Sequence, residues 1–156
     1  MFSFPENYEQ GWTLRNEIKQ EGIGLHTGNQ CEVIIKPTEL PGFHFSFSEE
    51  ADKVFSIDIS QVRNTPLCTT LDINGKKIST VEHLLASLTG VGLTHAHIEI
   101  TGTEIPLLDG SAICWIKEIE KVGMVHSTTS PKPRPELTSP IFVNKGESVI
   151  FAIPSK

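Results

Sequence analysis

Residues 79–88 read STVEHLLASL, and this stretch decides the fold because it predicts an amphipathic helix with a defined start. Ser79 or Thr80 is suited to the N-cap position, and Gly90 and Gly92 predict the end of the helix. The apolar residues recur at the spacing of one helical face, namely Val81, Leu84, Leu85 and Leu88. That face is expected to be buried in the core.

A polar pair, Glu82 and His83, lies in the first turn of this predicted helix. Successive helical residues are about 100° apart, so both side chains should point away from the apolar face. A carboxylate beside an imidazole is the best candidate for chemistry in the chain. The alternative is structural: Ser79-x-x-Glu82 also fits a capping box, with His83 as a solvated surface residue. Spacing alone leaves both interpretations open.

Length and composition limit the class of protein. With 156 residues the chain is one domain, or one domain and part of another. A net charge of −6 without a run of Lys or Arg argues against a nucleic-acid partner. Three scattered cysteines, Cys31, Cys68 and Cys114, argue against a disulfide framework and predict a reducing compartment, the cytoplasm. Neither a secretory signal nor a transmembrane segment is evident.

The chain before the helix reads mainly as strands. Residues 13–18 are a first strand, and residues 30–36 and 43–47 alternate apolar with other residues, with three phenylalanines expected on one core face. Residues 53–59 form a further extended segment. Asn74-Gly75 predicts a tight hairpin that leads directly into the helix.

A glycine-rich loop, residues 22–28, follows the first strand. Glycines allow close approach of the backbone to a ligand, but no helix follows, so the evidence for phosphate binding is weak. His26 within this loop is either a plain loop residue or a site residue.

The segment after the helix, residues 95–100, alternates strictly, which places His95, His97 and Glu99 on the outer face of a strand. A His-x-His pair can bind metal, but a solvated outer face is the favoured interpretation because no third ligand is evident. A second helix follows Ser111, with an apolar stripe that ends near Gly123 and consists of Ala112, Trp115, Ile116 and Ile119.

Asp109 precedes this second helix. It is either catalytic or, as is commoner for a carboxylate at a helix N-terminus, a partner of the turn and the helix dipole.

The order of segments predicts a domain organisation. Residues 1–12 are an N-terminal arm, 13–127 the main domain, and 128–140 a Ser/Thr/Pro-rich linker. Residues 141–156 read as a hairpin around Asn144-Lys145-Gly146. Two strands cannot bury a core alone, so the hairpin is expected to begin a second, truncated domain.

Four stretches, in this order and spacing, resemble one family: residues 22–28 (GIGLHTG), 65–69 (TPLCT), 78–84 (ISTVEHL) and 104–112 (EIPLLDGSA). They are similar to the N-terminal half of UDP-3-O-acyl-N-acetylglucosamine deacetylase, the zinc amidase of the committed step in lipid A biosynthesis. The resemblance implies two α+β domains, each a small, mostly antiparallel sheet packed against a pair of helices. This is a two-layer sandwich of the ribosomal S5 domain 2-like type, with the active site between the two domains.

The resemblance also implies site residues. His83 matches a zinc ligand, and Glu82 matches the general base that takes a proton from zinc-bound water as it attacks the acetamide carbonyl. Leu25, His26 and Cys68 match positions that border the substrate site. The implied cofactor is Zn²⁺, and the implied substrate is a UDP-linked acylated glucosamine.

One departure from the family limits this expectation. Catalytic zinc needs three protein ligands, and the family's other two come from a His-Lys-x-x-Asp helix of the second half, which also provides a general-acid histidine. Neither is present; His126 is followed by Ser127-Thr128-Thr129-Ser130. We therefore expect an N-terminal half, inactive without a fused or separate C-terminal half, in the cytoplasm or near the inner membrane. The alternative is a non-catalytic binding or assembly module.

Overall fold

The computed structural model describes residue 5 and residues 9–63, 66–133 and 135–155. Most of the predicted arm (residues 1–4 and 6–8), together with Thr65 of one motif, lies outside the described residues. In chain order the elements are β1 (Trp12–Leu14), β2 (Ile18–Ile23), β3 (Gln30–Lys36), β4 (Gly42–Phe47), β5 (Phe55–Ser56), β6 (Val62–Arg63), β7 (Thr70–Ile73), β8 (Lys76–Ile78), α1 (Glu82–Gly90), β9 (His95–Thr101), α2 (Ile113–Val122), β10 (Met124–His126), β11 (Ile141–Lys145) and β12 (Ser148–Ala152).

The main sheet has five strands in the order β2-β3-β9-β4-β5. Neighbouring strands pair antiparallel, except that β4 and β9 are parallel. Parallel strands require a crossover connection, and here that connection contains α1. The predicted class, α+β with a mostly antiparallel sheet and two helices, is confirmed.

One face of this sheet and both helices enclose the core. The helices contact each other, and the alternation of β3 and β9 directs every second side chain toward them. The core cluster joins sheet and helix residues, among them Val33, Ile35, Phe45, Ile98, Ile100, Leu84, Leu88, Trp115 and Ile119. The predicted buried face of residues 79–88 is thus confirmed, and it fixes which side of α1 remains available for chemistry.

The predicted hairpin before α1 is present. β7 and β8 are antiparallel, and the two turn residues have positive φ, 54° at Asn74 and 86° at Gly75. A two-residue turn of this kind requires positive φ at both positions, which Asn-Gly tolerates. The turn therefore returns the chain directly to the start of α1.

Gly75→Ala should destabilise the domain by about 1 kcal/mol, because alanine resists positive φ. A Cβ at Gly75 would meet nothing within 4 Å, so the expected cost is purely conformational. Gly90→Ala is the matched control: it is equally unobstructed, lies at the end of α1 and lacks a positive φ. Urea unfolding should show this control to be neutral or stabilised; equal destabilisation of both variants would contradict the conformational explanation.

Two details of the strand prediction are wrong. The expected strand 13–18 is two strands, β1 and β2, because β1 pairs with β10 while β2 pairs with β3. Of the extended segment 53–59, only Phe55–Ser56 pairs with β4. Both differences arise from the choice of partner strand, which local alternation does not encode.

The start of the predicted linker is bound to the domain. The Ser127 N–H donates to the Gly11 carbonyl (2.8 Å), and the Glu39 carboxylate accepts from the N–H (2.7 Å) and hydroxyl (2.6 Å) of Thr128. The domain also binds Thr129, whose hydroxyl donates to the Glu39 carbonyl (2.6 Å), and Lys132, whose Nζ donates to the Ser56 hydroxyl (2.7 Å). That residues 135–140 are a linker stays a prediction, and Arg134 lies outside the described part.

The predicted C-terminal hairpin is formed by β11 and β12, which pair antiparallel. Lys145 pairs with Ser148, so the turn is Gly146-Glu147, slightly later than expected. Every residue of both strands is exposed, including Ile141, Phe142, Val143, Val149, Ile150 and Phe151. That this hairpin begins a second domain stays a prediction. Among the described residues no helix is long and apolar enough to cross a membrane.

Candidate active site

Glu82 and His83 occupy the first two positions of α1, and both are half-buried. The residues on either side of them, Val81 and Leu84, are fully buried. The helical period therefore turns the polar pair away from the core, as the sequence predicted. The first helical turn therefore presents a carboxylate and an imidazole at successive positions outside the core.

The capping box is wrong. The Ser79 N–H donates to the Thr103 carbonyl (2.9 Å) instead of to Glu82, and no side chain caps α1. Thr80 adopts a φ of 61°, so the chain turns sharply between Ser79 and the helix. This turn pairs Ser79 with Glu104 in an isolated parallel bridge, which leaves the Glu82 carboxylate free for another partner.

That partner is the backbone of the 65–69 motif. The Thr69 N–H donates to Glu82 Oε2 over 2.9 Å. The bond joins the 78–84 motif to the 65–69 motif and orients one oxygen of the Glu82 carboxylate. Cys68, which directly precedes Thr69, is half-buried, and its thiol lies 3.8 Å from Thr70 Oγ1.

A cavity of about 220 Å³ opens beside this point. Its lining is almost wholly apolar and includes Ile57, Ile59, Val62, Leu71, Val81 and Leu85. Thr69 also borders the cavity, so the residue that orients Glu82 forms part of its wall.

The glycine-rich loop is held by a residue that sequence reasoning did not select, Glu104. Its carboxylate accepts from the N–H groups of His26 (3.0 Å) and Thr27 (2.8 Å) and from the Thr80 hydroxyl (2.9 Å). Glu104 is only 1% exposed. A buried carboxylate needs such donors. The available signal was the glutamate at the start of the 104–112 motif, followed directly by Ile105 and Pro106.

Leu25 and His26, the predicted lining residues, lie on the exposed side of this loop, and Leu25 is 56% exposed. The four motifs of the sequence are thus joined by two carboxylates: Glu82 contacts the 65–69 motif, and Glu104 connects the 22–28 and 78–84 motifs from within the fourth.

Glu104 is ionised throughout the ordinary pH range. Burial opposes its charge and would raise the pKa, but the bonds from His26, Thr27 and Thr80 outweigh burial and lower the pKa to about 2.

Asp109 organises the turn before α2. Its carboxylate accepts from both the N–H and the hydroxyl of Ser111 (2.9 Å each). These bonds, with a further one from the Cys114 thiol, lower the pKa of Asp109. The contacts support the structural interpretation of Asp109.

The outer face of β9 is not the solvated surface that the sequence favoured. His95 is 0% exposed, and its ring nitrogens bond to the hydroxyls of Thr94 (2.6 Å) and Thr129 (2.9 Å). His97 bonds to the Ser46 hydroxyl (2.8 Å). Burial lowers the pKa of His95 and of His97, so both imidazoles favour the neutral form. For His95 the physical reason is the docked segment that begins at Ser127 and brings Thr129 to the ring, whereas His97 is bound by Ser46 of the neighbouring strand β4.

Metal binding by this chain alone finds no support in the geometry. Within residues 5, 9–63, 66–133 and 135–155, no group of three His, Cys, Asp or Glu side chains could hold a metal ion. This applies to His83 as well as to the His-x-His pair. His83 has the chemistry of one zinc ligand, yet a catalytic zinc needs three, so the described residues fit one part of such a site and not a whole one.

The structure thus defines a two-layer α+β domain in which one helix begins with an imidazole and a carboxylate that a backbone N–H orients, and side chains of these two types serve in acid–base and metal-assisted chemistry. A model of the LpxC family, UDP-3-O-acyl N-acetylglycosamine deacetylase, matches residues 11–156. The chain belongs to this family.

Curated relatives agree with this assignment. UDP-3-O-acyl-N-acetylglucosamine deacetylase of Thermosynechococcus vestitus is 37% identical over 145 residues, which are 92% of this chain and 50% of the relative. The protein of the same name from Trichormus variabilis is 37% identical over 92% of this chain and 52% of its own length. That of Thermodesulfovibrio yellowstonii is 35% identical over 91% and 48%. The chain therefore spans about half the length of the curated relatives it matches.

Proposed function

We propose that this chain provides one side of the active site of a zinc-dependent deacetylase. The reaction is removal of the N-acetyl group from UDP-3-O-(3-hydroxyacyl)-N-acetylglucosamine, a step of lipid A biosynthesis. It would take place in the cytoplasm, near the inner membrane. The observation that carries the proposal is the Glu82 carboxylate, which accepts from the Thr69 N–H and directly precedes His83 in α1, in a chain of this family.

Glu82 acts as the general base. The Thr69 N–H occupies Oε2, so Oε1 is the oxygen that can take a proton from a water molecule. Because the carboxylate is half-buried and tethered by a backbone group, little reorganisation is needed to reach the proton. The products are the free amine and acetate.

His83 acts as one zinc ligand. A zinc ion held there would supply Lewis-acid chemistry for hydrolysis of the amide. The remaining ligands and the general acid come from a second polypeptide segment, fused or separate, that corresponds to the half of the relatives this chain does not cover. His83 and Glu82 would face that segment.

The chain alone should bind zinc poorly and should have negligible deacetylase activity, since one imidazole does not hold catalytic zinc. The measurement is metal analysis of the purified chain after zinc loading and desalting, together with acetate release from the UDP-linked substrate. Co-purification with the C-terminal half of the Thermosynechococcus vestitus relative should restore one zinc per complex. Stoichiometric zinc and steady turnover by the chain alone would contradict the proposal.

A second candidate function is a non-catalytic binding or assembly module. The exposed apolar hairpin β11–β12 favours it, because such a surface is suited to a partner protein. If turnover by the complex with the second half is unchanged in Glu82→Ala, this chain serves for binding or assembly and Glu82 is not the general base.

A further inference from the structure

Glu104 connects three separate segments at one buried point. Its two oxygens accept from the loop residues His26 and Thr27 and from Thr80, which lies two residues before Glu82. Its own backbone neighbours pair with Ser79: the Ile105 N–H donates to the Ser79 carbonyl over 3.0 Å. The carboxylate therefore contacts both the loop that carries His26 and the turn that starts α1.

The backbone of the loop at Gly24 packs tightly against the Glu104 carboxylate. A Cβ added at Gly24 would collide with Glu104 Oε2 and with the Thr27 hydroxyl. Gly24 is buried, whereas the loop residues after it are exposed. The backbone of the loop thus rests directly on the carboxylate, and this close approach, rather than a turn, requires a glycine at position 24.

The start of α1 depends on the same carboxylate. Thr80 holds a φ of 61°, a left-handed conformation that disfavours a β-branched residue. Its hydroxyl donates to Glu104 Oε1, and Thr80 is only 2% exposed. The strained turn is maintained by a charge-assisted bond, and this turn sets where the first helical turn, with Glu82 and His83, begins.

We propose that Glu104 is a positioning residue of the active site, which fixes the His26 loop (residues 24–28) relative to Glu82 and His83. An effect of Glu104 on catalysis rests on the proposed function, whereas its effect on the position of the loop does not. Glu104 is buried behind the loop and is not expected to touch substrate. It acts through two neighbours, the loop backbone and the Thr80 turn.

A purely structural role makes a different prediction. If Glu104 served only general stability, its loss would weaken α1, β9 and the loop together. A positioning role predicts a local effect, because α1 and the sheet keep their own core contacts, such as Leu84, Leu88 and Ile98. Residue-by-residue amide exchange separates the two possibilities.

The test is Glu104→Gln, measured by NMR amide hydrogen exchange on the full chain at neutral pH. Glutamine keeps the shape but removes the charge and replaces one acceptor oxygen with a donor. We expect the His26 and Thr27 amides to lose their protection, with an acceleration of about tenfold or more, whereas α1 and β9 stay protected and accelerate only by the common factor that the loss of global stability produces. The matched control is Glu39→Gln, at a carboxylate that also accepts a backbone N–H, that of Thr128; it should leave residues 24–28 unchanged.

Two results would overturn the proposal: unchanged exchange at His26 and Thr27, or a loss of protection throughout the sheet as complete as that at these two residues. If Glu104→Gln does not fold, Thr80→Ala provides the second variant, since it removes one donor and keeps the charge. It should accelerate exchange at residues 79–81 and preserve the loop. Uniform acceleration in this variant would also overturn the proposal.

An activity measurement ties the geometry to catalysis. In the complex with the second half, Glu104→Gln should lower kcat/KM at least about tenfold with zinc content unchanged, whereas Glu39→Gln should not. If exchange changes only in the loop and kcat/KM is unchanged, Glu104 does not position the active site for catalysis. Inactivity of the unmodified complex would overturn the proposed function instead, and the exchange measurements would still decide the positioning of the loop.

Discussion

Glu82→Gln should lower kcat of the assembled deacetylase by about 10²- to 10⁴-fold, the usual contribution of a general base. Glutamine has the same shape, and its amide oxygen can still accept from the Thr69 N–H, which donates to Oε2 in the unmodified chain. The substitution therefore removes the proton acceptor and leaves the local geometry intact. Zinc content should stay the same, because Glu82 is not a proposed ligand.

The measurement is steady-state turnover of the complex, with metal analysis and thermal unfolding of each variant. Glu118→Gln is the matched control: Glu118 lies on α2 and forms an exposed pair with Lys121 (2.6 Å), which contributes little. It should leave kcat unchanged. A Glu82→Gln complex with full zinc and near-normal kcat would contradict the role of Glu82 as the base.

The free energy of unfolding should fall by about 3 kcal/mol between pH 6 and pH 2 because of Glu104 alone. The pKa of Glu104 is about 2 in the fold against an ordinary value of 4.5. A depressed folded-state pKa contributes stability that is present above pH 4.5 and is lost as the pH falls toward 2. The shift corresponds to about 3 kcal/mol, of which about 2 kcal/mol should be gone at pH 3.

Other carboxylates also titrate in this range, so the measurement is a comparison. Burial of Glu104 distinguishes it from Asp109 and Glu39, whose pKa values are also lowered by hydrogen bonds. Urea unfolding of the unmodified chain and of Glu104→Gln at pH 6, 4 and 3 isolates its contribution. The difference in free energy between the two proteins should shrink as the pH falls; a constant difference would contradict the lowered pKa.

Short-range sequence patterns predicted much of the scaffold. Asn74-Gly75 specified its own turn, because the two residues tolerate positive φ locally. The three- and four-residue spacing of Val81, Leu84 and Leu88 specified the buried face of α1. The same helical period of about 3.6 residues predicted that Glu82 and His83 lie on the side of α1 that faces away from the core.

Such patterns did not predict which distant residues form hydrogen bonds with each other. The capping box was wrong because the Thr69 N–H, distant along the chain, is the partner of Glu82. The burial of His95 was missed because Thr129, thirty-four residues further along the chain, bonds to its ring. In each case a local motif was consistent with two arrangements, and a long-range contact selected one.

The sequence by itself determined the family, the helix and which of its faces carries the carboxylate and the imidazole, since periodicity and motif order are local properties. Only the tertiary structure decided how that face is held. It joined the Thr69 amide to Glu82 and brought Glu104 beneath both the His26 loop and the Thr80 turn. A buried carboxylate requires donors from wherever the fold supplies them, and no spacing along the chain specifies which donors those are.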